Sequence, residues 1–163
     1  MKKPLVRLTS LALVACLANA PTAYAATATD TFNVTANIPT SCSVTAGNDL
    51  AFGDYTGTQI DATTTVSVTC TSGGAYTVGL NDGTHFSSPN RRMLHGTTDF
   101  LNYELYKEDT HTNRWGNSGG ELVSGTGTGS AQTLTVYGRL PGSQSLIAGA
   151  YTDTITVTVT YTP

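Results

Sequence analysis

Apolar and polar residues alternate along most of this chain. Phe32, Val34, Ala36 and Ile38 are separated by Asn33, Thr35 and Asn37, and Cys42 and Val44 follow at the same spacing. The pattern returns in Val66, Val68 and Cys70, in Tyr76, Val78 and Leu80, in Leu101, Tyr103 and Leu105, in Leu134, Val136 and Leu140, and in Ile155, Val157, Val159 and Tyr161. A period of two puts each apolar set on one face of a sheet and the intervening threonines on the other. Threonine is the commonest residue, while Lys and Glu, which usually fill exposed helix faces, are scarce. β-Branched side chains favour the pleated strand, and no window sustains a 3.6-residue apolar period.

Turn signals punctuate the runs: Ala46-Gly47-Asn48-Asp49, Ser72-Gly73-Gly74, Asn81-Asp82-Gly83, Ser118-Gly119-Gly120, Pro141-Gly142 and Ala148-Gly149. Seven short strands with such punctuation predict an all-β, antiparallel sandwich. The stretches 86–100 and 116–130 are polar and Gly-rich and predict two extended loops. Gly125-Thr126-Gly127-Thr128-Gly129 reads as low-complexity loop; without a strand-to-helix context it is no phosphate-binding motif.

The 163 residues suit one domain behind a leader. Lys2, Lys3 and Arg7 precede an uncharged apolar stretch, Leu8 to Leu17, and Ala23-Tyr24-Ala25 is a small-x-small cleavage site, so residues 1–25 read as a signal peptide. The apolar stretch is shorter than the roughly 20 residues a membrane span needs. Leu13-Val14-Ala15-Cys16 also resembles a lipobox, the alternative being that Cys16 is one more apolar residue of the leader. Without the leader's three basic residues, five Lys and Arg face eleven Asp and Glu, a net charge near −6. That balance argues against nucleic acid, whose binding is dominated by phosphate neutralisation, and against docking on anionic lipid. Arg91-Arg92, the only basic pair after the leader, reads as solvated loop.

Cys42 and Cys70 remain after the leader, and in an exported chain an even count predicts a disulfide. Closing a loop of that length contributes roughly 3.6 kcal/mol in the chain-entropy model, a large share of a typical stability of about 5–15 kcal/mol. Catalytic and metal-binding patterns are absent. His85, His95 and His111 lack the i,i+4 helical spacing of a zincin and read as solvated loop residues. The carboxylates are scattered, Glu108-Asp109 being the one adjacent pair, and no Gly-x-Ser-x-Gly elbow is present. The sequence therefore predicts no enzyme, no metal and no cofactor.

The run Phe32–Ile38 is stopped by Pro39, which removes a ladder donor. The residues alone leave two readings open: it is the first strand of its own sheet, or a strand-like extension that belongs elsewhere. The ordered set Thr31-Phe32-Asn33-Val34, Ser41-Cys42-Ser43-Val44, Leu50-Ala51-Phe52-Gly53-Asp54-Tyr55, Val66-Ser67-Val68-Thr69-Cys70, Tyr76-Thr77-Val78-Gly79-Leu80-Asn81, Arg92-Met93, Leu101-Asn102-Tyr103-Glu104-Leu105-Tyr106, Trp115-Gly116, Val136-Tyr137-Gly138-Arg139-Leu140-Pro141 and Gly149-Ala150-Tyr151-Thr152-Asp153 resembles the spore coat protein U domain family, which includes subunits of archaic, Csu-type chaperone–usher pili.

The resemblance implies an incomplete immunoglobulin-like sandwich over 41–163 that lacks its last strand, preceded by a donor-strand extension over 26–40. A periodic set, Phe32, Val34, Ala36 and Ile38, is then the donor face. Ile155, Val157, Val159 and Tyr161 line the acceptor groove, where a periplasmic chaperone pairs first and a neighbouring subunit, an identical copy or a related one, replaces it at the outer-membrane usher. The expected role is a structural pilus subunit on the surface of a Gram-negative cell, supporting adhesion and biofilm formation. A non-polymerising secreted coat or envelope protein and a surface-binding adhesin module are the alternatives.

Overall fold

The alternating, threonine-rich runs form strands in a computed structural model that describes residues 24–163. The expected leader lies outside the described residues, apart from Tyr24 and Ala25, as does Cys16. The chain divides into two units, residues 1–36 and 37–163. In the described part of the first, residues 24–36, no residue is in a strand. The second holds eight strands: β1 (Cys42–Ala46), β2 (Ile60–Cys70), β3 (Ala75–Leu80), β4 (Arg91–His95), β5 (Asp99–Tyr106), β6 (Val123–Thr126), β7 (Ala131–Leu140) and β8 (Val157–Tyr161). One short 3-10 turn, Gly119–Glu121, precedes β6.

All pairings between these strands are antiparallel. One sheet runs β1-β2-β7-β5-β4 and the other β6-β3-β8. The predicted inward residues meet between them: Val66, Val68 and Cys70 of β2, Tyr76, Val78 and Leu80 of β3, Leu101, Tyr103 and Leu105 of β5, and Val136 and Leu140 of β7 are all buried, with Trp115 among them. Each such side chain contributes about 1.5–3 kcal/mol when taken out of water. The all-β antiparallel sandwich read from the sequence is therefore the fold.

Four local expectations are corrected. The loop expected over 86–100 contains β4, whose apolar pattern is hidden because its inward residue is an arginine. Arg91, expected in solvent, is 0 % exposed. Its guanidinium donates to Leu80 O (3.1 Å), Asn81 O (2.7 Å) and Trp115 O (2.8 Å) and pairs with Glu104; a buried charge persists only when paired and hydrogen-bonded in this way. The loop expected over 116–130 contains β6, and Gly125 and Thr126 of the low-complexity run pair with Tyr76 and Ala75 of β3. His111, expected in solvent, packs edge-on against Tyr106 and Tyr137 and accepts a bond from Arg139 at Nδ1 (3.0 Å); His85 and His95 are half-buried. The run Phe32–Ile38, for which two readings stood open, is not in a strand, and the first strand of the five-stranded sheet is β1.

Candidate functional site

Each sheet ends on a strand that is bonded along one side only. β1 ends the five-stranded sheet and pairs with β2, while β8 ends the three-stranded sheet and pairs with β3. These two edges face each other across the sandwich. Alternation on β8 makes its inward face apolar: Val157, Val159 and Tyr161 are half-buried, and Thr158 and Thr160 are exposed.

Between the edges lies a cavity of about 450 Å³. Its walls include Leu80, Tyr103, Leu105 and Val136 of the core, Leu50 and Phe52 of the β1–β2 connection, and Ile155 and Val157. The connection is held against β2 by Gly47 N donating to Thr65 O (2.8 Å) and by the Thr64 hydroxyl donating to Asn48 O. Phe52 tilts against Tyr103 with ring centroids 6.3 Å apart.

Of the four groove residues expected from sequence, Ile155 and Val157 line the cavity together. Val159 and Tyr161 continue the same face of β8, opposite Val78 and Tyr76 of β3. Ile155 precedes the strand instead of lying in it. The ladder ends because Asn81 takes the next pairing position with its side chain: Thr156 N donates to Asn81 Oδ1 (2.8 Å), while Asn81 N donates to Thr156 O (3.0 Å). The same carboxamide oxygen accepts from Gly83 N (3.3 Å). Gly83 is fixed there by its left-handed φ of 84° and by the Asp153 carboxylate, which occupies the space a Cβ would need.

Asp153 pins the segment that leads into β8. It accepts from the Tyr103 hydroxyl (2.7 Å) and from Thr84 N (2.8 Å). Burial, together with this carboxylate, pushes the Tyr103 phenol well above its ordinary range, so it stays a donor at every physiological pH. Asn81, Tyr103 and Asp153 were not singled out from sequence as site residues; Asn81-Asp82-Gly83 registered as a turn, and nothing in a single sequence marks the partner 70 residues away.

The expected donor residues present a different picture. Phe32 is 86 % exposed, Val34 87 % and Ile38 80 %, and Ala36 is exposed as well. Such large apolar side chains in alternation on exposed backbone are unusual for a stable surface. The predicted disulfide is present: Cys42 and Cys70 are bonded and directly opposite in the β1–β2 register. Among the described residues, no group of three or more His, Cys, Asp or Glu side chains is arranged to hold a metal ion.

The polar clusters lie elsewhere. Arg114 links Glu104 (3.0 Å), Glu121 (2.7 Å) and Asp82 beside the buried Arg91. On the outer face of the larger sheet, Arg139 holds both Asp61 carboxylate oxygens, at 2.7 and 2.8 Å, and lowers the Asp61 pKa. These are satisfied pairs and not an open reactive centre. What the β1–β8 flank offers chemically is backbone hydrogen-bonding groups along an edge and an apolar trough beside it.

Comparison with known proteins bears on this flank. Residues 28–158 match the family described as the Spore Coat Protein U domain. Protein U of Myxococcus xanthus is 33 % identical, the match covering 85 % of this chain and 88 % of that protein. A solved structure of the CsuC–CsuE chaperone–tip adhesion subunit pre-assembly complex, from archaic chaperone–usher Csu pili of Acinetobacter baumannii, matches with 28 % identity and a TM-score of 0.57 over 74 % of this chain. This chain spans 39 % of the length of the chain it matches there. The P pilus rod subunit PapA matches 74 % of this chain and 98 % of its own with a TM-score of 0.50; at 13 % identity that likeness is one of fold alone.

Proposed function

The chain belongs to the Spore Coat Protein U domain family, and from that premise we propose that it is an exported structural subunit of a chaperone–usher pilus. In this reading the flank between β1 and β8 is an acceptor groove. A periplasmic chaperone lends it a strand first, and residues Phe32–Ile38 of a neighbouring copy or related subunit then replace that strand at the outer-membrane usher.

One observation carries the reading: a cavity of about 450 Å³ reaches core residues beside the one-sided strand β8, while the same chain carries an alternating apolar run that is exposed. Adding a strand satisfies the backbone groups of an edge and puts alternate side chains into pockets. Burying Phe32, Val34 and Ile38 contributes about 1.5–3 kcal/mol each, and Ala36 completes the same face of the run. Because the donor of one copy enters the groove of the next, the contact is heterologous and does not close, so the product is a filament. Display on a Gram-negative surface, adhesion and biofilm formation follow as the role of such a filament. The family description also names the spore coat, which favours a second reading, a coat or envelope protein that does not polymerise.

Val34→Asp separates them. The carboxylate would enter an apolar pocket unpaired, at a cost of several kcal/mol, so polymerisation is lost. The chaperone complex survives, because it uses the subunit's groove and not its extension. Asn33→Asp, on the opposite face of the run, is tolerated. The readout is a ladder of SDS-resistant, heat-sensitive polymer beside a chaperone pull-down. Equal polymerisation by both variants, or loss of the chaperone complex in Val34→Asp, would sink the donor role of residues 32–38. Absence of any ladder from the unmodified chain expressed with its chaperone and usher would favour the coat reading.

A further inference from the structure

We propose that residues 39–42, with Cys70, Thr71 and Gly74, form a force-bearing anchor at the root of the extension, in which the Cys42–Cys70 disulfide passes tension from the edge strand β1 to the interior strand β2. The proposal rests on the donor-strand reading above. In a filament of that kind the load carried by a subunit's own extension passes Ile38 and meets the fold over residues 39–42, the four that follow.

The anchor is built from three fastenings. Cys42 and Cys70 are bonded at the first register position of β1 and β2, and β1 extends only five residues and pairs on one side. Pulled from its N-terminal end without a crosslink, such a strand can peel from β2 one bond after another. With the crosslink, tension passes directly to β2, which is eleven residues long and paired on both sides, with β1 and with β7. Thr71, the next residue after Cys70, clasps the chain just before Cys42. Ser41 N donates to Thr71 Oγ1 (3.1 Å), Thr71 N donates to Ser41 O (2.9 Å), and the hydroxyl lies 3.4 Å from both Pro39 O and Ser41 O, one of which accepts its proton.

Gly74 provides the third fastening by its lack of a side chain: a Cβ there would fall 2.5 Å from Thr40 Cγ2, so the Thr40 methyl is seated on the 71–74 turn. That turn is itself braced, since Gly73 N donates to Gly127 O (2.9 Å), Gly127 N to Gly74 O (2.7 Å) and Gly129 N to Cys70 O (3.0 Å). Pro39 adds stiffness at the exit, because its ring fixes its own φ and restricts Ile38 to extended conformations. Disulfide, clasp and seat converge on the segment that leads into β1, whereas a crosslink needed only for overall stability could lie anywhere in the fold.

The test is force spectroscopy on assembled filaments, after the SDS-resistant ladder has shown that they exist. Oxidised filaments, the same filaments treated with a reductant, and oxidised Thr71→Val filaments are stretched at one loading rate. Reduction should lower the force at which subunits first lengthen. It should also add roughly 90–100 Å of contour length per unfolded domain, because the 28-residue separation is no longer bridged. Thr71→Val should lower the force of first lengthening while releasing no more than about 10 Å, the reach of residues 39–41. If reduced filaments fall apart before stretching, the Thr71→Val filaments decide. First lengthening at the same force in every filament that survives overturns the anchor and leaves the polymer reading standing. Failure of the unmodified chain to form a ladder overturns the polymer reading instead.

Discussion

At β4 the larger sheet ends against the chain's own return path. Leu94 exchanges backbone hydrogen bonds with Thr152, at 2.8 and 3.1 Å, and the His95 ring packs at a tilt against Tyr151 with centroids 5.2 Å apart. Behind this edge the polar groups are matched: Arg91 has its carbonyls and Glu104, and the Trp115 indole N–H donates to Val78 O (3.1 Å). At β1 and β8, by contrast, both strands are bonded on one side only and an apolar cavity lies between them. Unprotected edges are ordinarily blunted by charge, proline or a covering segment. One flank of this molecule follows that rule, and the other borders a cavity of about 450 Å³ whose walls include Val66, Val136, Ile155 and Val157. The lesson is that incompleteness is local here. The fold concentrates buried charge and long-range hydrogen bonds at the closed flank, and under the proposed function it is the open one that would take an added strand.

Arg91→Leu is the severest way to break this comparison. It leaves Arg114 as the one guanidinium on Glu104 and takes the Arg91 donor from three carbonyls; each buried acceptor left unsatisfied costs about 1–3 kcal/mol, so the summed loss is several kcal/mol. Because the loss is on the closed flank, filling the groove should not rescue it. Soluble yield should fall both for the free subunit and for one extended at its C-terminus by a copy of residues 30–38. Recovery of normal yield in the extended form would show that the closed flank also depends on the added strand.

Tyr103→Phe acts at the seam, where the segment leading into β8 is pinned. It removes the bond to Asp153 but leaves Thr84 N in place, and hydrogen bonds to charged groups contribute about 1.5–3 kcal/mol. Chemical denaturation of the extended subunit should record a loss in that range, and Asp153→Asn should bring little further loss on top of it. Additive losses would mean that the two residues act separately.

Val157→Thr sharpens the comparison from the open side. The hydroxyl nearly preserves shape and faces water while the groove is empty, so the free subunit should be unchanged. Once a strand covers the position, a hydroxyl without a partner costs about 1–3 kcal/mol. Only the extended subunit should therefore lose stability; equal losses in both would place Val157 in the permanent core.

How much of this could be read in advance follows the same division. The buried faces of β2, β3, β5, β7 and β8 and the disulfide were legible, because alternation and the cysteine count are local signals that report on burial. β4 and β6 were not. An inward arginine and a Gly-Ser-Thr segment look like loop until carbonyls and a neighbouring strand from distant parts of the chain are brought beside them. The end of β8 at Val157 was illegible for a similar reason, since Asn81 supplies a ladder position with a side chain. Phe32–Ile38 has a clean alternating pattern yet is not in a strand here, because alternation reports that a segment can pair and not that it does.

Asp61→Asn is the smallest expected effect and tests whether the outer face stands apart from both flanks. Asp61 of β2 and Arg139 of β7 are directly opposite, and the guanidinium holds both carboxylate oxygens while His111 Nε2 stands 3.8 Å away. The hydrogen bonds from Arg139 lower the Asp61 pKa below its ordinary 3.8. A folded state with the lower pKa binds fewer protons than the unfolded chain, so this contribution is fully present above the ordinary value and is lost as pH falls through the folded one. Asp61 is substantially exposed, and solvent screening limits such a pair to about 0.2–1 kcal/mol. The variant should therefore be slightly less stable than the parent at pH 7 and indistinguishable from it near pH 2. The pair lies on the face of the larger sheet that turns away from the groove. The offset should then be the same in the free subunit and in the extended one, as read from denaturation midpoints across pH 2–7. A difference that grows when the groove is filled would mean that the added strand is felt through the sheet, and that the two flanks are coupled.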